Sequence, residues 1–586
     1  NADIKDTSHK RGIRKQEDYK PPQELLDKLV NTFWANNPYI KDFKKSSELE
    51  VRFGTRGIKP LTKIDYDNVI CKIKSLGFTC KNEQGEYMLR VYNEFLDPAT
   101  GVFRDSDIRT EINGFHDIQK YCKRNSLLEV EAGQMGNVQF FRKKNYKGAN
   151  DVEAIRPINF DEFNFRVSYQ TEERIARSGR IIENLVNTWE KTKKYFRYIN
   201  RVTFSHPDIP VNIDISIVKS SSAGANRKPK LAYTTEESEV FQNPEVYEIE
   251  LEVNNDAIGP GTNVNTAPEL LSAIRKTIKY VLMGLQETNY PISYPEQNKV
   301  LQDYMQLVNN KEYNPSQRVY PNHFIGPSSY TLQMANIAPI NNNAVIPNIR
   351  NDYTVTDKAD GERHMMYISN NGKIYLINTN MKVLFTGALT KNKEIFNSLI
   401  DGEIILHDKY GKFINMYAAF DAYFINNNDV RPYGFVPRKM DDDRSKFRIP
   451  LLESLIKIMK PVSVVLDEIS PIRIACKQFY PAVSTDNIFD ACNFILGKEV
   501  QGLFEYNTDG LIFTPASMGV GTDKIGKPSP SNKTTWKHSF KWKPPQYNTI
   551  DFLVTTIKSK TNGQDLVTPI FQDGINTASL NQLDEF

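Results

Sequence analysis

Short runs in which apolar and polar residues alternate dominate the first half of the chain, from about Pro21 to Glu287. The clearest runs are Glu48–Phe53, Phe103–Ile112, Val138–Lys143, Phe163–Ser168, Asn200–Phe204, Val211–Val218 and Tyr247–Val253. Strict alternation places every second side chain on one face of a β-strand. In several runs the repeated face is charged, which fits either a solvent-facing sheet or a barrel with a polar interior. The pattern predicts a β-rich first domain and leaves these two forms open.

A helix is predicted to close this region. Thr266 followed by Glu269 has the spacing of a capping box, and Pro268 occupies a tolerated first-turn position. Apolar residues then recur at helical spacing from Leu270 to Leu285. This helix is therefore expected to pack against the strands.

The second half of the chain has a different composition and a different pattern of apolar residues. Residues 289–350 are rich in Pro and Asn, which favours a connection, and a mixed α/β pattern runs from about 351 to 545. Its predicted strands lie near Tyr353–Thr356, His364–Ile368, Ile400–Leu406, Met416–Phe424 and Leu511–Thr514, with helices near Leu451–Met459 and Asn487–Leu496. We expect a flexible basic arm over 1–20, a β-rich domain over 21–288, a connection over 289–350, an α/β domain over 351–548 and the start of another domain over 549–586.

Composition narrows the class of protein without choosing a function. The 586 residues are 39% hydrophobic and 25% charged, which is typical of folded globular domains, and the net charge is only +4. Five scattered cysteines with no C-x-x-C pair predict neither a disulfide framework nor a zinc site. No run of about 18 apolar residues is present, so no membrane partner is expected.

The segment Tyr353–Arg363 carries the first candidate chemistry. A strand leads to Lys358, and Asp360, Gly361 and Arg363 follow at once. An amine attacks a phosphate only when it is deprotonated, so a nucleophilic lysine needs a pKa below its ordinary value of about 10.4. Gly361 allows close backbone approach, and Arg363 offers a planar fork for phosphate or ribose.

Four later motifs supply the other groups that phosphoryl transfer needs, namely carboxylates, lysines and an aromatic ring. They are Ile400–Ile404, Tyr417–Asp421, Thr508–Phe513 and Ser539–Pro544. In this order, K-x-D-G, D-G-E, F-D, D-G-L-I and K-W-K resemble the covalent nucleotidyltransferase superfamily of capping guanylyltransferases and polynucleotide ligases. The resemblance implies a nucleotide site that contains Lys358 as the phosphoramidate-linked residue together with Asp360, Gly361, Arg363, Glu403, Phe420, Asp509, Lys541 and Lys543. It further implies that Arg363 and Glu403 lie at the ribose, that Phe420 stacks on the purine, that Asp509 assists metal binding and that both later lysines contact phosphates.

Two strands with paired glutamates stand near the two ends of the β-rich half. Glu48 and Glu50 alternate on one strand, and Glu250 and Glu252 alternate on the other. Period-two spacing aims both acids of a pair at one face. Oxygen ligands clustered in this way suit a hard divalent cation such as Mg²⁺ or Mn²⁺.

This pattern resembles the triphosphate tunnel metalloenzymes, whose barrel holds a metal on glutamates and a triphosphate on basic side chains. The resemblance implies that Glu48, Glu50, Glu250 and Glu252 form the metal site, while Glu248 shares their face. The basic strand residues between these glutamates are then the triphosphate ligands, namely Arg109, Lys143, Arg166, Arg197, Arg201 and Lys219. Strand register decides this assignment, because a slip of one residue reverses which face is inside.

A tunnel triphosphatase followed by a guanylyltransferase resembles the mRNA-capping enzymes of large DNA viruses of the mimivirus, African swine fever virus and poxvirus type. The resemblance implies an α+β multidomain protein, in which an antiparallel β-barrel precedes a nucleotidyltransferase domain and the start of an OB-fold. It implies removal of the γ-phosphate from 5′-triphosphate RNA, followed by GMP transfer from GTP. It also implies Mg²⁺ or Mn²⁺ as cofactor, a C-terminal methyltransferase domain outside this chain, and a location in the cytoplasmic viral factory or the virion.

Three alternatives remain open from the sequence. The chain could be an ATP-dependent polynucleotide ligase, in which case the paired glutamate strands have no explanation. It could be an inert RNA-binding scaffold that keeps catalytic remnants. The barrel could also act on free nucleotides or inorganic polyphosphate instead of RNA.

Overall fold

The computed structural model describes residues 21–553 apart from positions 43, 55–58, 97–99, 132–136, 148–154, 224–228, 310–313, 315–317, 341–345, 467, 482–486 and 551. The arm expected over 1–20 and most of the segment 549–586, where an OB-fold is expected to begin, lie outside the described residues. The chain divides into two compact units, one up to Leu285 and one from Gln286 onward. We call them unit 1 and unit 2.

Among its described residues, unit 1 contains ten strands and seven α-helices. The strands are β1 (Lys45–Phe53), β2 (Thr79–Cys80), β3 (Glu86–Leu96), β4 (Phe103–Asn113), β5 (Val138–Asn145), β6 (Ile158–Phe160), β7 (Phe165–Arg174), β8 (Lys194–His206), β9 (Ile209–Ser220) and β10 (Val246–Val253). The helices are α1 (Pro22–Ala35), α2 (Lys63–Ser75), α3 (Phe115–Arg124), α4 (Leu127–Glu131), α5 (Arg180–Asn187), α6 (Thr235–Ser238) and α7 (Ala267–Gln286), whose last residue passes into unit 2.

Eight of these strands close into an antiparallel barrel. The ring runs β1-β10-β9-β8-β3-β4-β5-β7 and returns to β1 through the pairing of β1 with β7. β6 and β2 lie outside the ring, paired with β7 and β8 respectively. Of the two forms that the sequence left open, the closed barrel with a polar interior is the one that forms.

The barrel is polar inside and apolar outside, because alternate residues of each strand face opposite ways. Val51, Ile213 and Leu251 point outward and are buried in one cluster with residues of α1, α2 and α7. A second cluster joins β3, β4 and β8 to α3 and α5. Burial of each such aliphatic side chain contributes about 1.5–3 kcal/mol, so the helices that cover the outside hold the barrel together and leave its interior free for charge.

The start of α7 shows why the sequence predicted it. The backbone N–H of Glu269 donates to Thr266 Oγ1 at 3.4 Å, and the Glu269 carboxylate accepts from the backbone N–H of Asn265 at 2.9 Å. These two contacts satisfy backbone donors that have no partner within the helix. Leu270, Ile274 and Val281 then lie buried against the barrel.

Unit 2 contains two sheets and helices α8 (Tyr294–Asn309), α9 (Arg448–Met459) and α10 (Ile488–Val500). Its strands are β11 (Ser328–Thr331), β12 (Tyr353–Ala359), β13 (Glu362–Ile368), β14 (Lys373–Asn378), β15 (Val383–Leu389), β16 (Ser398–His407), β17 (Phe413–Ile425), β18 (Asn428–Asp429), β19 (Val462–Ser463), β20 (Arg473–Cys476), β21 (Tyr480–Pro481), β22 (Thr508–Pro515) and β23 (Thr535–Trp542). The five-stranded sheet has the order β11-β23-β22-β12-β21. The eight-stranded sheet has the order β18-β17-β16-β13-β14-β15-β19, with β20 beside β17.

The segment 289–350, interpreted from sequence as a connection, contains structured elements of unit 2. α8 buries Val300, Tyr304 and Met305 in a cluster with residues of the eight-stranded sheet. β11 pairs in parallel with β23. The flanking Pro and Asn residues hid the helical spacing of these apolar positions.

The turn at Asp360 and Gly361 carries the chain from one sheet to the other. β12 ends at Ala359 in the five-stranded sheet, and β13 begins at Glu362 in the eight-stranded sheet. A Cβ at Gly361 would lie 2.9 Å from the Ile404 carbonyl oxygen, so this turn needs glycine to approach β16. Lys358 and Arg363 therefore stand on different sheets but only five residues apart in sequence. Within the described part of the chain, no helix combines the length and hydropathy needed to cross a membrane.

Candidate functional sites in the barrel and in the two-sheet unit

The paired glutamate strands are neighbours in the barrel and present their acids to the interior. β1 pairs with β10 so that Glu50 lies opposite Glu252 and Arg52 lies opposite Glu250. Glu48 and Glu248 continue the same faces of the two strands by alternation. The structure therefore brings together the two acid pairs that the sequence placed nearly two hundred residues apart.

Ion pairs link most of these carboxylates to basic residues on other strands. Lys143 Nζ lies 2.7 Å from Glu48 Oε2 and 2.9 Å from Glu50 Oε2. Arg201 Nη2 lies 2.9 Å from Glu250 Oε2, and Arg197 Nη2 lies 2.7 Å from Glu248 Oε1. Three of the six basic residues proposed as triphosphate ligands thus stand inside the barrel among the glutamates.

Arg109 and Arg166 also occupy the interior face. Arg109 Nη2 lies 2.7 Å from Glu172 Oε1, and its Nε lies 2.9 Å from Glu111 Oε1. Arg166 lies directly opposite Arg52 on the β1–β7 pair, and its buried Nε has no hydrogen-bond partner among the described residues. A buried guanidinium N–H without an acceptor is costly, so this nitrogen is suited to an incoming anion.

The assignment of Lys219 to the interior is wrong. On β9 the interior face carries Asp214 and Ser216, opposite Thr203 and Arg201 of β8. Lys219 has the other parity, lies opposite the outward-facing Tyr198, and donates from Nζ to the Phe241 carbonyl oxygen at 3.1 Å. Ile217 and Val218 are both apolar, so the alternation near Lys219 did not indicate which residues face the interior.

The glutamates do not yet form a metal site as they stand. Among the described residues, no three carboxylate, imidazole or thiol side chains converge closely enough to hold a metal ion. The reason is the set of ion pairs above, which turn Glu48 and Glu50 toward Lys143 and Glu250 toward Arg201.

Glu252 nevertheless shows that the cluster suits a cation. Burial raises the pKa of its carboxyl to about 8, and the negative charges of Glu48 and Asp214 add to this effect. Carboxylate oxygens are also the ligands that Mg²⁺ and Mn²⁺ prefer. A divalent cation among Glu48, Glu50 and Glu252 would offset this concentration of negative charge, so the residues present fit a metal.

Several residues of the barrel interior were not predicted from the sequence as site residues. They are Arg52, Arg90, Glu111, Glu172 and Asp214, and each forms at least one of the interior ion pairs. Arg52 was visible, because it continues the alternation of Glu48 and Glu50. Arg90 lies on β3, a strand that the alternation of the sequence did not single out.

In unit 2, one carboxylate holds the proposed nucleophile. Lys358 Nζ lies 2.7 Å from Asp509 Oδ1, and Lys543 Nζ lies 2.7 Å from Asp509 Oδ2. Burial alone would raise the pKa of Asp509, but hydrogen bonds from the two lysines bring it below its ordinary value. Residues from the first, fourth and fifth motifs therefore meet at one point, where β12, β22 and β23 lie side by side.

Arg363 is fixed in place by its neighbours. Its Nε and Nη2 bind the two oxygens of the fully buried Asp401 at 3.1 and 2.5 Å, and its Nη1 donates to the Pro327 carbonyl oxygen at 2.7 Å. The guanidinium carbon lies 5.6 Å from the ring centroids of both Phe324 and Phe420. A bidentate carboxylate pair of this kind fixes the plane of the guanidinium, and here it also places the aromatic ring of Phe420.

Glu403 lies beside this group with an unused oxygen. It stands opposite Arg363 in the β13–β16 pair, and within the described part of the chain its buried Oε2 has no hydrogen-bond partner. Burial raises the pKa of the carboxyl, while the charges of Lys477, Lys358 and Arg363 oppose the rise. The unpaired oxygen can accept a hydroxyl or a cation.

Asp360, Gly361 and Lys541 have other environments. Gly361 packs on β16, and Asp360 is exposed with its backbone N–H bound to the Asn507 carbonyl oxygen at 2.9 Å. Lys541 is exposed on β23, opposite Ile512. Lys543 follows Lys541 by two positions, just past the end of β23, and strand alternation places both on one side.

A second lysine next to the nucleophile was missed from the sequence. Lys477 is buried, with Nζ 3.1 Å from Asp357 Oδ2 and 2.5 Å from the Asp357 carbonyl oxygen. Tyr506 also donates to Asp357 Oδ2 at 3.0 Å. These three side chains line a cavity of about 360 Å³ together with Ala418, Cys476 and Lys498. No motif marks Lys477, because it follows β20, a strand of only four residues.

A family model described as "mRNA capping enzyme, catalytic domain" matches residues 295–545. The chain is therefore similar to the catalytic domain of mRNA capping enzymes over this range. The matched region begins in α8, contains all of the unit 2 candidate residues from Lys358 to Lys543, and ends just after β23. The recognition of a capping enzyme from the ordered motifs is confirmed.

Curated relatives carry the same description. The probable mRNA-capping enzyme of Acanthamoeba polyphaga mimivirus is 28% identical over 351 residues, covering 55% of this chain and 27% of the relative. The mRNA-capping enzyme of Danio rerio is 26% identical over 228 residues, covering 37% of this chain and 33% of the relative. An African swine fever virus mRNA-capping enzyme is 26% identical over 215 residues, covering 36% of this chain and 19% of the relative. The chain thus spans a third or less of the length of these relatives.

Two solved structures share features with this chain at low TM-score. The mimivirus capping enzyme triphosphatase has a TM-score of 0.29 and 14% identity, covering 44% of this chain and 97% of that structure. An RNA triphosphatase of S. pombe has a TM-score of 0.25 and 12% identity, covering 47% of this chain and 99% of that structure. The barrel of this chain is established by the strand pairings that close it.

Proposed function

We propose that unit 2 transfers GMP from GTP to the 5′ end of RNA through a covalent bond to Lys358. The observation that carries this proposal is the pair of 2.7 Å contacts by which Asp509 holds Lys358 and Lys543 within a capping-enzyme domain. Attack on a phosphate needs an amine that supplies electrons and a cation that offsets the phosphate charge. Lys358 can serve as the amine and Lys543 as the cation.

The first step joins lysine to nucleotide. Lys358 Nζ, after losing its proton, forms a bond to the α-phosphorus of GTP, and the bond to the β-phosphate oxygen breaks with release of pyrophosphate. Lys543 offsets charge on the phosphates, Glu403 accepts a ribose hydroxyl at its free oxygen, and Phe420 presents its ring to the purine. In the second step an oxygen of the RNA diphosphate bonds to the same phosphorus and the nitrogen–phosphorus bond breaks.

We propose that unit 1 prepares the RNA by removing its γ-phosphate. The support is an enclosed set of basic residues, among them Lys143, Arg197 and Arg201, next to a glutamate cluster that fits a divalent cation. Glu48, Glu50 and Glu252 would hold Mg²⁺ or Mn²⁺, which supplies positive charge beside the phosphate. The basic residues bind the triphosphate, and the closed barrel limits the water around it. Hydrolysis leaves the diphosphate end that the second step of unit 2 consumes.

The lysine bond has a direct test. Incubation of the chain with Mg²⁺ and GTP labelled at the α-phosphate should label the protein, and Lys358→Arg should abolish the label while keeping a positive charge at that position. Lys527→Arg, at an exposed lysine, is the matched control and should label normally. Label that persists in Lys358→Arg would exclude this nucleophile, and stronger labelling by ATP than by GTP would favour a ligase.

The barrel is tested separately. Glu50→Gln should abolish release of phosphate from 5′-triphosphate RNA and leave GMP labelling intact, because the two sites lie in different units. The reverse pattern is expected for Lys358→Arg. A loss of both activities in either variant would contradict two independent sites.

A further inference from the structure

Two tyrosines form a stack inside the barrel, on the face that also carries its charged residues. The ring centroids of Tyr92 on β3 and Tyr195 on β8 lie 4.4 Å apart, and the ring planes differ by only 4°. The two residues are directly opposite each other in the β3–β8 pair. Neither ring is fully buried.

The strand register places this pair on the interior face. Tyr92 lies opposite Arg109 of β4, and Arg109 is an interior residue that binds Glu172. Tyr195 precedes the interior Arg197 by two residues, so both side chains point the same way. The apolar packing of β8 takes place on its other face, where Phe196 and Tyr198 are buried among helices. The stack therefore contributes nothing to that core.

Tyr195 lies near the start of β8, on the same face as two arginines further along the strand. Arg201, Ile199, Arg197 and Tyr195 lie in this order along the interior face, and Tyr195 is the second residue of the strand. At about 3.4 Å per residue, Tyr195 lies roughly 7 Å beyond Arg197 and roughly 20 Å beyond Arg201. A triphosphate held by the two arginines would direct its nucleoside toward this end of the barrel.

We propose that the Tyr92–Tyr195 pair stacks on the first base of the RNA and so makes the barrel prefer an RNA end over a free polyphosphate. This inference rests on the proposed function of unit 1. Aromatic side chains stack on nucleic acid bases and tolerate any base, which suits an enzyme that must accept every transcript. The neighbouring Arg109 and Arg197 bind the phosphates that precede this base.

The test compares two ligands that differ in the presence of a base. Binding of a 5′-triphosphate RNA oligonucleotide and of inorganic tripolyphosphate is measured in the whole chain, alongside phosphate release from each. Tyr195→Ala should lower the ratio of RNA affinity to tripolyphosphate affinity by about tenfold, which matches the stacking energy of one base. Tyr195→Phe keeps the ring and should restore the ratio of the parent. Tyr410→Ala, at an exposed tyrosine of unit 2, is the matched control and should leave the ratio unchanged.

The outcomes separate the inference from the function on which it rests. A parent that binds both ligands but releases no phosphate would refute the triphosphatase proposal, while the affinity ratio would still decide the stacking role. An unchanged ratio in Tyr195→Ala, or equal losses for both ligands, would overturn the inference, since a purely structural tyrosine affects both ligands alike. A Tyr195→Phe variant that behaves like Tyr195→Ala would also overturn it, because the ring would then not be the group that matters.

Discussion

At the scale of single residues, both candidate sites are built on carboxylates that hold cations in position. Asp509 binds Lys358 and Lys543, Asp401 binds Arg363, and Glu250 binds Arg201. Such a carboxylate need not touch a substrate to matter, because the position of the cation depends on it. The carboxylate therefore sets the position of each cation in the site.

Replacement of Asp509 by Asn keeps the size of the side chain and removes its charge. We expect Asp509→Asn to reduce GMP labelling by about 10²-fold or more, because Lys358 and Lys543 lose the group that holds them together and repel each other. The measurement is the initial rate of labelling with α-labelled GTP. Asp523→Asn, at an exposed aspartate that pairs with Lys527, is the control and should keep the parent rate. A rate within twofold of the parent in Asp509→Asn would contradict the role given to this residue.

Lys194 is a buried lysine that the proposed chemistry does not use. Its Nζ donates to the Thr192 and Tyr233 carbonyl oxygens at 2.7 and 3.4 Å, and burial lowers its pKa to about 8. Between pH 8 and about 10.5 the folded state has lost this proton while the unfolded state still holds it. The free energy of unfolding of unit 1, which contains Lys194, therefore gains on the order of 3 kcal/mol from this residue as pH rises through that range.

Lys194→Met should remove this gain. The stability of the variant relative to the parent is expected to fall as pH rises from 7 to 10.5, measured by urea unfolding at several pH values. Lys123→Met, at an exposed helix position, should differ from the parent by a constant amount over the same range. A constant difference in Lys194→Met as well would mean that this lysine keeps its proton in the folded state.

At the scale of strands and helices, alternation predicted which side chains share a face but left open whether the strands form an open sheet or a barrel. Glu48, Glu50, Glu250 and Glu252 share an interior because period-two spacing fixes relative faces within each strand. The closure of β1 on β7 could not be predicted, because strand pairing between distant segments leaves no local pattern. Lys219 was misplaced where two apolar residues in a row broke the alternation, although the polar positions Asn212, Asp214 and Ser216 carried the correct phase.

Arg197 and Lys219 point to opposite faces of the β8–β9 hairpin, so substituting each in turn tests which face binds the triphosphate. Arg197→Ala should lower phosphate release from triphosphate RNA by about 10²-fold, because an interior cation beside Glu248 is lost. Lys219→Ala should leave release within about twofold, because Lys219 points outward to the Phe241 carbonyl oxygen. Initial rates of phosphate release with saturating Mg²⁺ measure both. A large loss in Lys219→Ala at unchanged thermal stability would restore the interior assignment.

In unit 2, motif order predicted the meeting of Lys358, Asp509 and Lys543 better than it predicted the elements around them. Lys358 and Asp509 are 151 residues apart and meet where β12 pairs with β22, so their meeting was predicted from the family resemblance of the motifs and not from local spacing. The sequence did not predict the ion pair between Lys477 and Asp357, because Lys477 follows β20 and Asp357 lies on β12, in different sheets. It did not predict the ion pair between Arg448 of α9 and the F-D motif residue Asp421 of β17 for a similar reason, since α9 and β17 are separate elements. Contacts between elements that are distant in sequence are the part that a single sequence does not supply.

At the scale of the whole molecule, the described apolar clusters each belong to one unit. One unit 1 cluster contains residues of the barrel, α1, α2 and α7, and a second contains α3 and α5. The unit 2 clusters contain α8, α9, α10 and the two sheets. A core that is complete within a unit allows that unit to unfold by itself, so a single free energy of unfolding does not describe the chain.

Two matched substitutions test this independence in the intact chain. Leu270 of α7 and Leu452 of α9 are both fully buried, in a unit 1 cluster and a unit 2 cluster respectively. Leucine to alanine at such a site costs about 2–5 kcal/mol, which lowers the unfolding temperature of a unit of this size by roughly 5–15 °C. In calorimetry we therefore expect two transitions, of which Leu270→Ala lowers one and Leu452→Ala lowers the other. A single transition that both variants lower equally would show that the two cores unfold as one, and the separate loss of phosphate release and GMP labelling expected from single-site variants would then need another physical basis.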